Sequence, residues 1–504
     1  MNHTNRLAAV EAALGRLDLD TKTRLLAGQD LWSLPAVPEI GLESVVMSDG
    51  PVGVRGPEFD PDDPALTLPS PTALAATWSP ELARTAGRAL AQEAHRKGVH
   101  VLLAPTVNLH RSPLGGRHFE SYAEDALLTA RIGAGYVTGL QESGVAATVK
   151  HFVANDAETE RFTVDNQVGA REPMDAVLIG RCVPRRTADL EAGRPVTVSL
   201  LNHTPKGAIG PLRGVAFSLA HRAPERDGDQ LIEEAVAAAS AADVAVVVVA
   251  TTEHVESEGF DRATLRLPGR QDELVARVAA ANPRTVVIVN SGAPVEMPWR
   301  EDVAAVLLSW FPGQEGGAAL ADVLLGHAEP GGRLPTTWPA RLTDAPVTQV
   351  TPTAGVLRYD EGVFIGYRAW QRHATAPAYP FGHGLGYTDW TYEHIEITDT
   401  TTARIRLRNT GDRTGREVVQ LYVAPTRPDT AERPERCLAG FAAVTAEPGE
   451  AATAEIPLPE RAFILWDENT GGWTTIPGEY QVLAGHSVAD TRLSAVIAVP
   501  AKDA

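Results

Sequence analysis

The sequence predicts a multidomain protein of the α/β plus β class, and three regions of the 504-residue chain support this prediction. In residues 1–165, short β-type runs alternate with Ala-rich helical stretches. The same alternation returns in residues 229–355, with continuous runs of Val and Ala. Residues 391–504 instead show alternating strands broken by Gly, Pro and Asp, which is typical of a β-sandwich. A chain of this length can bury more than one core.

Individual elements follow from local patterns. The runs "VHVLLAP" and "GVAATVKHF" predict strands, and "PELARTAGRALAQEAHRKG" predicts a helix. The Val run in "LIEEAVAAASAADVAVVVVATT" predicts a parallel strand covered on both faces. Residues 166–228 contain β-type runs too few for a whole domain, and residues 356–390 are predicted to be a linker. In the last region Trp466, Trp473 and Tyr480 are expected in the core.

Composition excludes several classes of function. A net charge of -19 disfavours nucleic acid and anionic membrane surfaces as partners, since both reward clustered Lys and Arg. Cys182 and Cys437 are the only cysteines and predict neither a disulfide framework nor a Cys-based metal site. No P-loop, dinucleotide glycine pattern or HExxH occurs, so no cofactor and no metal are expected. The N-terminus predicts an amphipathic helix rather than a signal peptide, and the expected location is the cytoplasm.

Seven blocks occur in order along the chain: "VVMSDGPVGVRG", "LLAPTVNLHRSPLGGRHFESYAED", "GVAATVKHFVANDAETER", "ESEGFDRATLRLPGRQDEL", "WFPGQEGGAALADVLLG", "GGRLPTTWP" and "YPFGHGLGYT". They resemble the landmark segments of family 3 glycoside hydrolases of the β-glucosidase type. The resemblance implies a partial (β/α) barrel for residues 1–165, an α/β/α sandwich for 229–355 and a fibronectin type III-like domain for 391–504. It also implies that residues 166–228 are a remnant of the PA14 insert that some members carry.

One departure from the family concerns the catalytic nucleophile. In the family, the chain continues after "TERFTVDNQVGAREPMD" into further barrel strands, one of which ends in Ser-Asp-Trp and supplies the nucleophilic Asp. That stretch is missing here, and the sole Asp-Trp, Asp389-Trp390, lies in "GYTDW" where the family has a linker. The resemblance therefore implies an internal deletion that removes the nucleophile, the rest of the barrel and most of the PA14 insert.

The matching positions predict a site for sugar hydroxyls. Asp49, Arg55, Arg117, Lys150, His151 and Arg161 are its expected substrate-binding residues. Plainer interpretations stay open: Ser-Asp-Gly-Pro forms turns for local reasons, Arg55 and Arg117 suit a solvated surface, and a core His beside Lys150 is common. His151 is also a candidate for proton transfer, because imidazole titrates near neutral pH.

The segment "HVESEGFDR" predicts an acidic loop after a strand. The resemblance places the family's proton donor there and favours Glu258, while Glu256 is the alternative and a plain exposed acidic loop is the third. We expect the neighbouring Asp261 and Arg262 to pair and hold the loop.

Three functions are compatible with these residues. Retaining hydrolysis needs two carboxyl groups about 5 to 5.5 Å apart, and one is missing. The first hypothesis is therefore an enzyme that binds a sugar or polyhydroxylated small molecule and performs non-hydrolytic acid/base chemistry, such as dehydration or cyclisation. The second is an active hydrolase with a relocated nucleophile, taken from Asp156, Glu160 or Asp165. The third is a catalytically inactive carbohydrate-binding protein.

A shortened barrel would leave open strand edges and apolar surface. We expect either closure by residues 166–228 or a homodimer that covers the gap.

Overall fold

The computed structural model describes residues 3–58, 60, 62–152, 154–168, 227–398, 401–427, 433–467 and 472–501. These residues form two compact units, residues 3–47 with Asp227 in the first, and residues 48–168 with 228–501 in the second. Nearly all of segment 166–228, with its predicted PA14-like strands, lies outside the described residues. Within the described residues, no helix is both long and apolar enough to span a membrane.

The first unit contains two helices and a short β-hairpin. Helix α1 spans His3–Leu14 and helix α2 spans Leu19–Ala27. The side chain of Asp18 caps α2 by accepting a hydrogen bond from the backbone N–H of Thr21 at 2.7 Å. Strand β1 (Ser33–Leu34) pairs antiparallel with β2 (Val45–Asp49), whose last two residues belong to the second unit.

The second unit begins with β/α repeats. Helices α3 (Pro71–Ala76), α4 (Pro80–Arg96) and α5 (Ala126–Glu142) accompany strands β3 (Val101–Leu103) and β4 (Ala146–Ala147), which pair in parallel. Glycine allows α4 and α5 to pack closely, because a Cβ at Gly139 would lie 2.0 Å from the carbonyl oxygen of Arg84. The chain after β4 is poorly covered by the described residues: Val149 is 51% exposed and Phe152 is 75% exposed.

A parallel three-stranded sheet follows. Its elements are α6 (Gly228–Ser240), β6 (Ala245–Ala250), α7 (Gln271–Ala281), β7 (Thr285–Asn290), β8 (Ala305–Leu308) and α8 (Gly316–Leu324), with strand order β6-β7-β8. Val247 and Val249 are buried in the core with α6 and α7, but Val246 and Val248 are half exposed. The prediction that this Val run is covered on both faces is therefore wrong for the described residues, because α6 and α7 pack with only one set of its alternating side chains.

Residues 356–390, predicted to be a linker, contain strand β9 (Val356–Arg358) and helix α9 (Gly366–Trp370). Strand β9 pairs in parallel with β5 (Asp165–Gln167). Short 3₁₀ helices lie at Pro38–Ile40, His118–Glu120, Leu342–Asp344 and Glu460–Phe463.

The C-terminal part is an antiparallel β-sandwich. One sheet has the order β10-β11-β14 and the other β13-β12-β17-β18, beside a β15–β16 hairpin. The strands are β10 (Trp390–Thr398), β11 (Thr402–Asn409), β12 (Gly415–Pro425), β13 (Cys437–Ala446), β14 (Ala451–Pro457), β15 (Ile464–Asp467), β16 (Gly472–Thr475), β17 (Gly478–Gly485) and β18 (Thr491–Val499). Alternating residues from both sheets, including Tyr480, form one core. Trp473 is 56% exposed on the hairpin, where it contacts Trp466 edge-on, so its expected core position is wrong.

Candidate active site

Three predicted residues meet at the ends of two chain segments. Asp49 ends β2, and Lys150 lies three residues after β4. The Lys150 ammonium donates a hydrogen bond to Asp49 Oδ1 at 2.6 Å. Burial would raise the pKa of Asp49, but Lys150 and then Arg55 outweigh it and lower the pKa below its ordinary value. Asp49, Lys150 and the adjoining His151 are called the strand-end cluster below.

His151 is held by Asn108. The Asn108 Oδ1 atom accepts from the His151 backbone N–H and lies 3.1 Å from the ring Nδ1. This contact favours the tautomer with a proton on Nδ1, which leaves Nε2 as an acceptor. Burial, followed by the charges of Arg117 and Lys150, lowers the pKa of His151 to about 3. His151 is therefore neutral at physiological pH and suits hydrogen bonding better than proton transfer.

Arg117 and Arg161 connect the site to the loop after β6. Arg161 Nη2 donates to Glu258 Oε1 at 2.7 Å, and Arg117 Nη1 lies 3.9 Å from the same oxygen. Burial alone would raise the pKa of Glu258, but Arg117 and Arg161 outweigh it and lower the pKa. Glu258 is thus a carboxylate in the resting protein, and half of its side chain is exposed.

Glu256 differs from Glu258 although only one residue separates them. Its side chain is buried, accepts from Ser291 Oγ at 2.8 Å and from the backbone N–H of Gly292 at 3.0 Å, and lies 3.6 Å from Arg262. Burial raises the pKa of Glu256, and Arg262 opposes this effect only in part. Geometry therefore assigns Glu256 to the packing of the loop and leaves Glu258 available to a ligand.

The expected pairing of Asp261 with Arg262 is wrong. Asp261 accepts from the backbone N–H groups of Glu158 and Thr159 at 2.8–2.9 Å, whereas Arg262 faces Glu256 and donates to the carbonyl oxygen of Pro294. The two adjacent side chains face different partners, which charge pattern alone cannot predict.

A small open pocket adjoins these residues. Arg117 and His151 line it together with Thr106, His118 and Asn155. Arg55 is exposed, and its backbone N–H donates to the Asp49 carbonyl oxygen at 3.2 Å. The structure thus brings Asp49, Lys150, His151, Arg117, Arg161 and Glu258 into one connected cluster, with Arg55 at its edge.

Of the three candidates for a relocated nucleophile, Asp156 lines the pocket but its carboxylate is already paired. Asp156 is held by Arg111 Nε at 2.7 Å and by the Tyr359 hydroxyl at 2.5 Å. Glu160 is exposed, and Asp165 is exposed on β5. Asp389 immediately precedes β10, where Trp390 is buried in the sandwich core.

Sequence reasoning missed Glu158, which is buried between the two arginines. Its Oε2 accepts from Arg161 Nη1 and from the backbone N–H of Gly259, and its Oε1 lies 3.6 Å from Arg117 Nη1. The spacing of Glu158 and Arg161 three residues apart was the available signal, but the contact with Gly259 spans 101 positions of sequence. Among the described residues, no group of three or more His, Cys, Asp or Glu side chains could hold a metal ion.

A family profile described as "Glycosyl hydrolase family 3 C-terminal domain" matches residues 76–387, well over half of the chain. The chain belongs to glycoside hydrolase family 3. A fibronectin type III-like domain profile matches residues 417–488. The predicted fold class, α/β regions followed by a C-terminal fibronectin type III-like β-sandwich, is confirmed.

Characterised relatives of this family 3 chain are glycosidases. It is 28% identical over 666 residues to thermostable β-glucosidase B of Acetivibrio thermocellus, covering 97% of this chain and 88% of that protein. It is 29% identical over 657 residues to an exo-α-(1→6)-L-arabinopyranosidase of Bifidobacterium longum, covering 94% and 87%. The crystal structure of a Bifidobacterium adolescentis family 3 β-glucosidase superposes with a TM-score of 0.82 at 26% identity, covering 96% and 95%.

Proposed function

We propose that this family 3 member binds a sugar or polyhydroxylated small molecule and performs acid/base chemistry without a covalent nucleophile. The central observation is that Glu258 is the one half-exposed carboxylate among the described acidic residues of the cluster. Glu158 and Glu256 are buried, and Asp49 is paired with Lys150. This arrangement supplies one group for proton transfer and several for holding hydroxyls.

The strand-end cluster is suited to binding a polyol. The Lys150 ammonium has three donors and uses one on Asp49, and the Asp49 carboxylate can accept from further hydroxyls. His151 Nε2 adds a neutral acceptor beside the pocket. The similarity to β-glucosidase B supports a hexose as the ligand.

The length of an alignment supports the absence of the nucleophile. The alignment with the Acetivibrio enzyme extends over 666 residues although this chain has 504, which supports an internal deletion. Positioned acid/base groups contribute roughly 10² to 10⁴-fold, enough for elimination or ring closure on an activated substrate. Because its pKa is lowered, Glu258 acts first as a base that removes a proton from the bound ligand.

Two matched substrates and one ligand test this proposal. D-Glucose binding is measured by calorimetry, and nitrophenolate release is followed from 4-nitrophenyl β-glucoside and from its 3-keto analogue. In the keto analogue the C2 proton lies next to a carbonyl. A carboxylate that removes this proton forms the C1–C2 double bond and expels nitrophenolate from C1, so no nucleophile is needed.

We expect glucose binding, Glu258-dependent elimination from the keto analogue, and little or no cleavage of the parent glucoside. Cleavage of the parent at ordinary family rates would establish the hydrolase with a relocated nucleophile instead. Glucose binding without release from either substrate would establish the inactive carbohydrate-binding protein.

We also propose that the protein is a homodimer, because Val149 and Phe152 expose apolar surface beside the site. Light scattering at several concentrations should give twice the mass of the chain, and a monomer would refute this proposal.

The cytoplasmic location of the protein stays a prediction.

A further inference from the structure

The 252–262 loop and residues 156–161 hold each other through reciprocal contacts. The Asp261 carboxylate of the loop accepts from the backbone N–H groups of Glu158 and Thr159 and from the Thr159 hydroxyl, at 2.6–2.9 Å. In return, Glu158 Oε2 accepts from the backbone N–H of Gly259 at 2.7 Å. Two carboxylates thus bind the backbone of the opposite segment, and Glu258 immediately precedes Gly259, the first of the two contact points on the loop.

Glu158 also shares both arginines with Glu258. One guanidinium, Arg161, donates to Glu158 Oε2 and to Glu258 Oε1. Arg117 Nη1 lies 3.6 Å from Glu158 Oε1 and 3.9 Å from Glu258 Oε1. The Glu158 side chain is 1% exposed, and its Oε1 accepts no hydrogen bond. A buried carboxylate with one oxygen that accepts no hydrogen bond is costly, so packing alone does not account for a glutamate at this position.

We propose that Glu158 is a positioning residue for Glu258, fixing the loop through Gly259 and competing with Glu258 for the charges of Arg117 and Arg161. This inference rests on the proposed function, in which Glu258 transfers the proton. Glu158 is too deeply buried to touch the ligand itself, so it acts through Glu258.

The competition has a measurable direction. The charged groups facing Glu258 are Arg117, Arg161, Asp49 and Glu158. With Glu158 ionised, Arg161 divides its attraction between Glu158 and Glu258, and Arg117 divides its attraction among Glu120, Glu158 and Glu258. Removing the charge of Glu158 leaves Arg161 to Glu258, and Arg117 to Glu120 and Glu258, so Glu258 should become more acidic and a weaker base.

Two measurements on full-length Glu158→Gln test the inference without requiring turnover. The pKa of Glu258 is obtained from ¹³C-carboxyl NMR, with its signal identified by its loss in Glu258→Gln. Backbone exchange of residues 252–262 is followed by hydrogen–deuterium exchange mass spectrometry. Glu160→Gln, which removes the same charge from an exposed residue two positions away, is the matched control.

We expect Glu158→Gln to move the titration of Glu258 to lower pH and to speed exchange in the loop by about tenfold, the effect of weakening a hydrogen bond to a charged group. Glu158→Asp keeps the charge and should restore the titration at least partly. Glu160→Gln should change neither quantity.

The inference is overturned if Glu158→Gln behaves like Glu160→Gln in both measurements. Should Glu158→Gln not fold, Glu158→Asp and Asp261→Asn replace it. Asp261→Asn should speed backbone exchange in the loop, but it should move the titration of Glu258 less than the loss of the Glu158 charge would. Exchange as slow as in the wild type in both Glu158→Asp and Asp261→Asn would also overturn the inference. If wild-type protein fails to bind glucose or to react with the keto analogue, the proposed function fails while these contacts remain testable.

Discussion

The strand-end cluster and the 252–262 loop supply different parts of the site and are held in different ways. Asp49 and Lys150 form their own ion pair at the ends of two chain segments. Glu258 depends on contacts from elsewhere, namely Arg161, and Glu158 through Gly259. Both arrangements join segments about 100 positions apart in sequence, but the binding pair is made by two groups alone, whereas the position of Glu258 depends on both Arg161 and Glu158.

The largest effect should come from the exposed carboxylate of the loop. Glu258→Gln keeps the shape but cannot accept the proton, so elimination from the 3-keto glucoside should fall by about 10² to 10⁴-fold. Glucose binding, measured by calorimetry, should hardly change because the strand-end cluster is intact. An equal loss of binding would mean that the loop and the cluster are not separable.

Glu256→Gln should lower the stability of the protein, whereas Glu258→Gln should lower its turnover. The change leaves buried Arg262 without its counter-charge, and breaking a buried pair costs about 3 kcal/mol or more of unfolding free energy. Urea unfolding measures this loss. A stable Glu256→Gln protein with no elimination activity would show that we have exchanged the roles of the two glutamates.

Smaller losses are expected from the strand-end cluster. Lys150→Ala or Asp49→Ala leaves a partly buried partner unpaired and should weaken glucose binding by about 1 to 3 kcal/mol. Because the two residues form one pair, the double variant should lose less than the sum of the single losses. Calorimetry with Glu58→Ala, a change at an exposed residue outside the cluster, provides the comparison, and equal losses in all variants would argue against a specific pair.

Stability should respond to pH through buried histidines near the site. Burial is the main cause that lowers the pKa of His118 to about 4 and of His151 to about 3, and it lowers that of His110 well below 6.5. The unfolded chain binds these protons below pH 6.5, so their contribution to stability is present above 6.5 and lost as the pH falls.

Buried carboxyls whose pKa is raised act in the opposite direction, among them Glu124, Glu158 and Glu256. Burial raises the pKa of Glu124 from 4.5 to about 7, so its contribution is present below pH 4.5 and lost as the pH rises through 7. Glu124→Gln removes this contribution, so its melting temperature relative to that of the wild type should rise as the pH increases from 4.5 to 7. Thermal unfolding of both proteins across this window measures the difference, and a constant or falling difference would contradict the assignment.

The sequence could predict what depends on local pattern. The parallel and antiparallel regions, the positions of Asp49 and Lys150 at segment ends, and Glu258 on a loop all follow from periodicity and motif. Glu158 could not be found, because its importance arises from Gly259 and Arg117, which are distant in sequence. The exposed face of β6 was also missed, since a Val run specifies strands but not which faces other elements cover.

The central claim is that this family 3 site binds a sugar but forms no covalent intermediate. An activated 2-deoxy-2-fluoro-β-glucoside tests it most directly, because retaining glycosidases trap its sugar on their nucleophile. Intact-mass spectrometry after incubation should show unmodified protein. A stoichiometric glycosyl adduct, located on a carboxylate by peptide mapping, would contradict the claim and identify the relocated nucleophile.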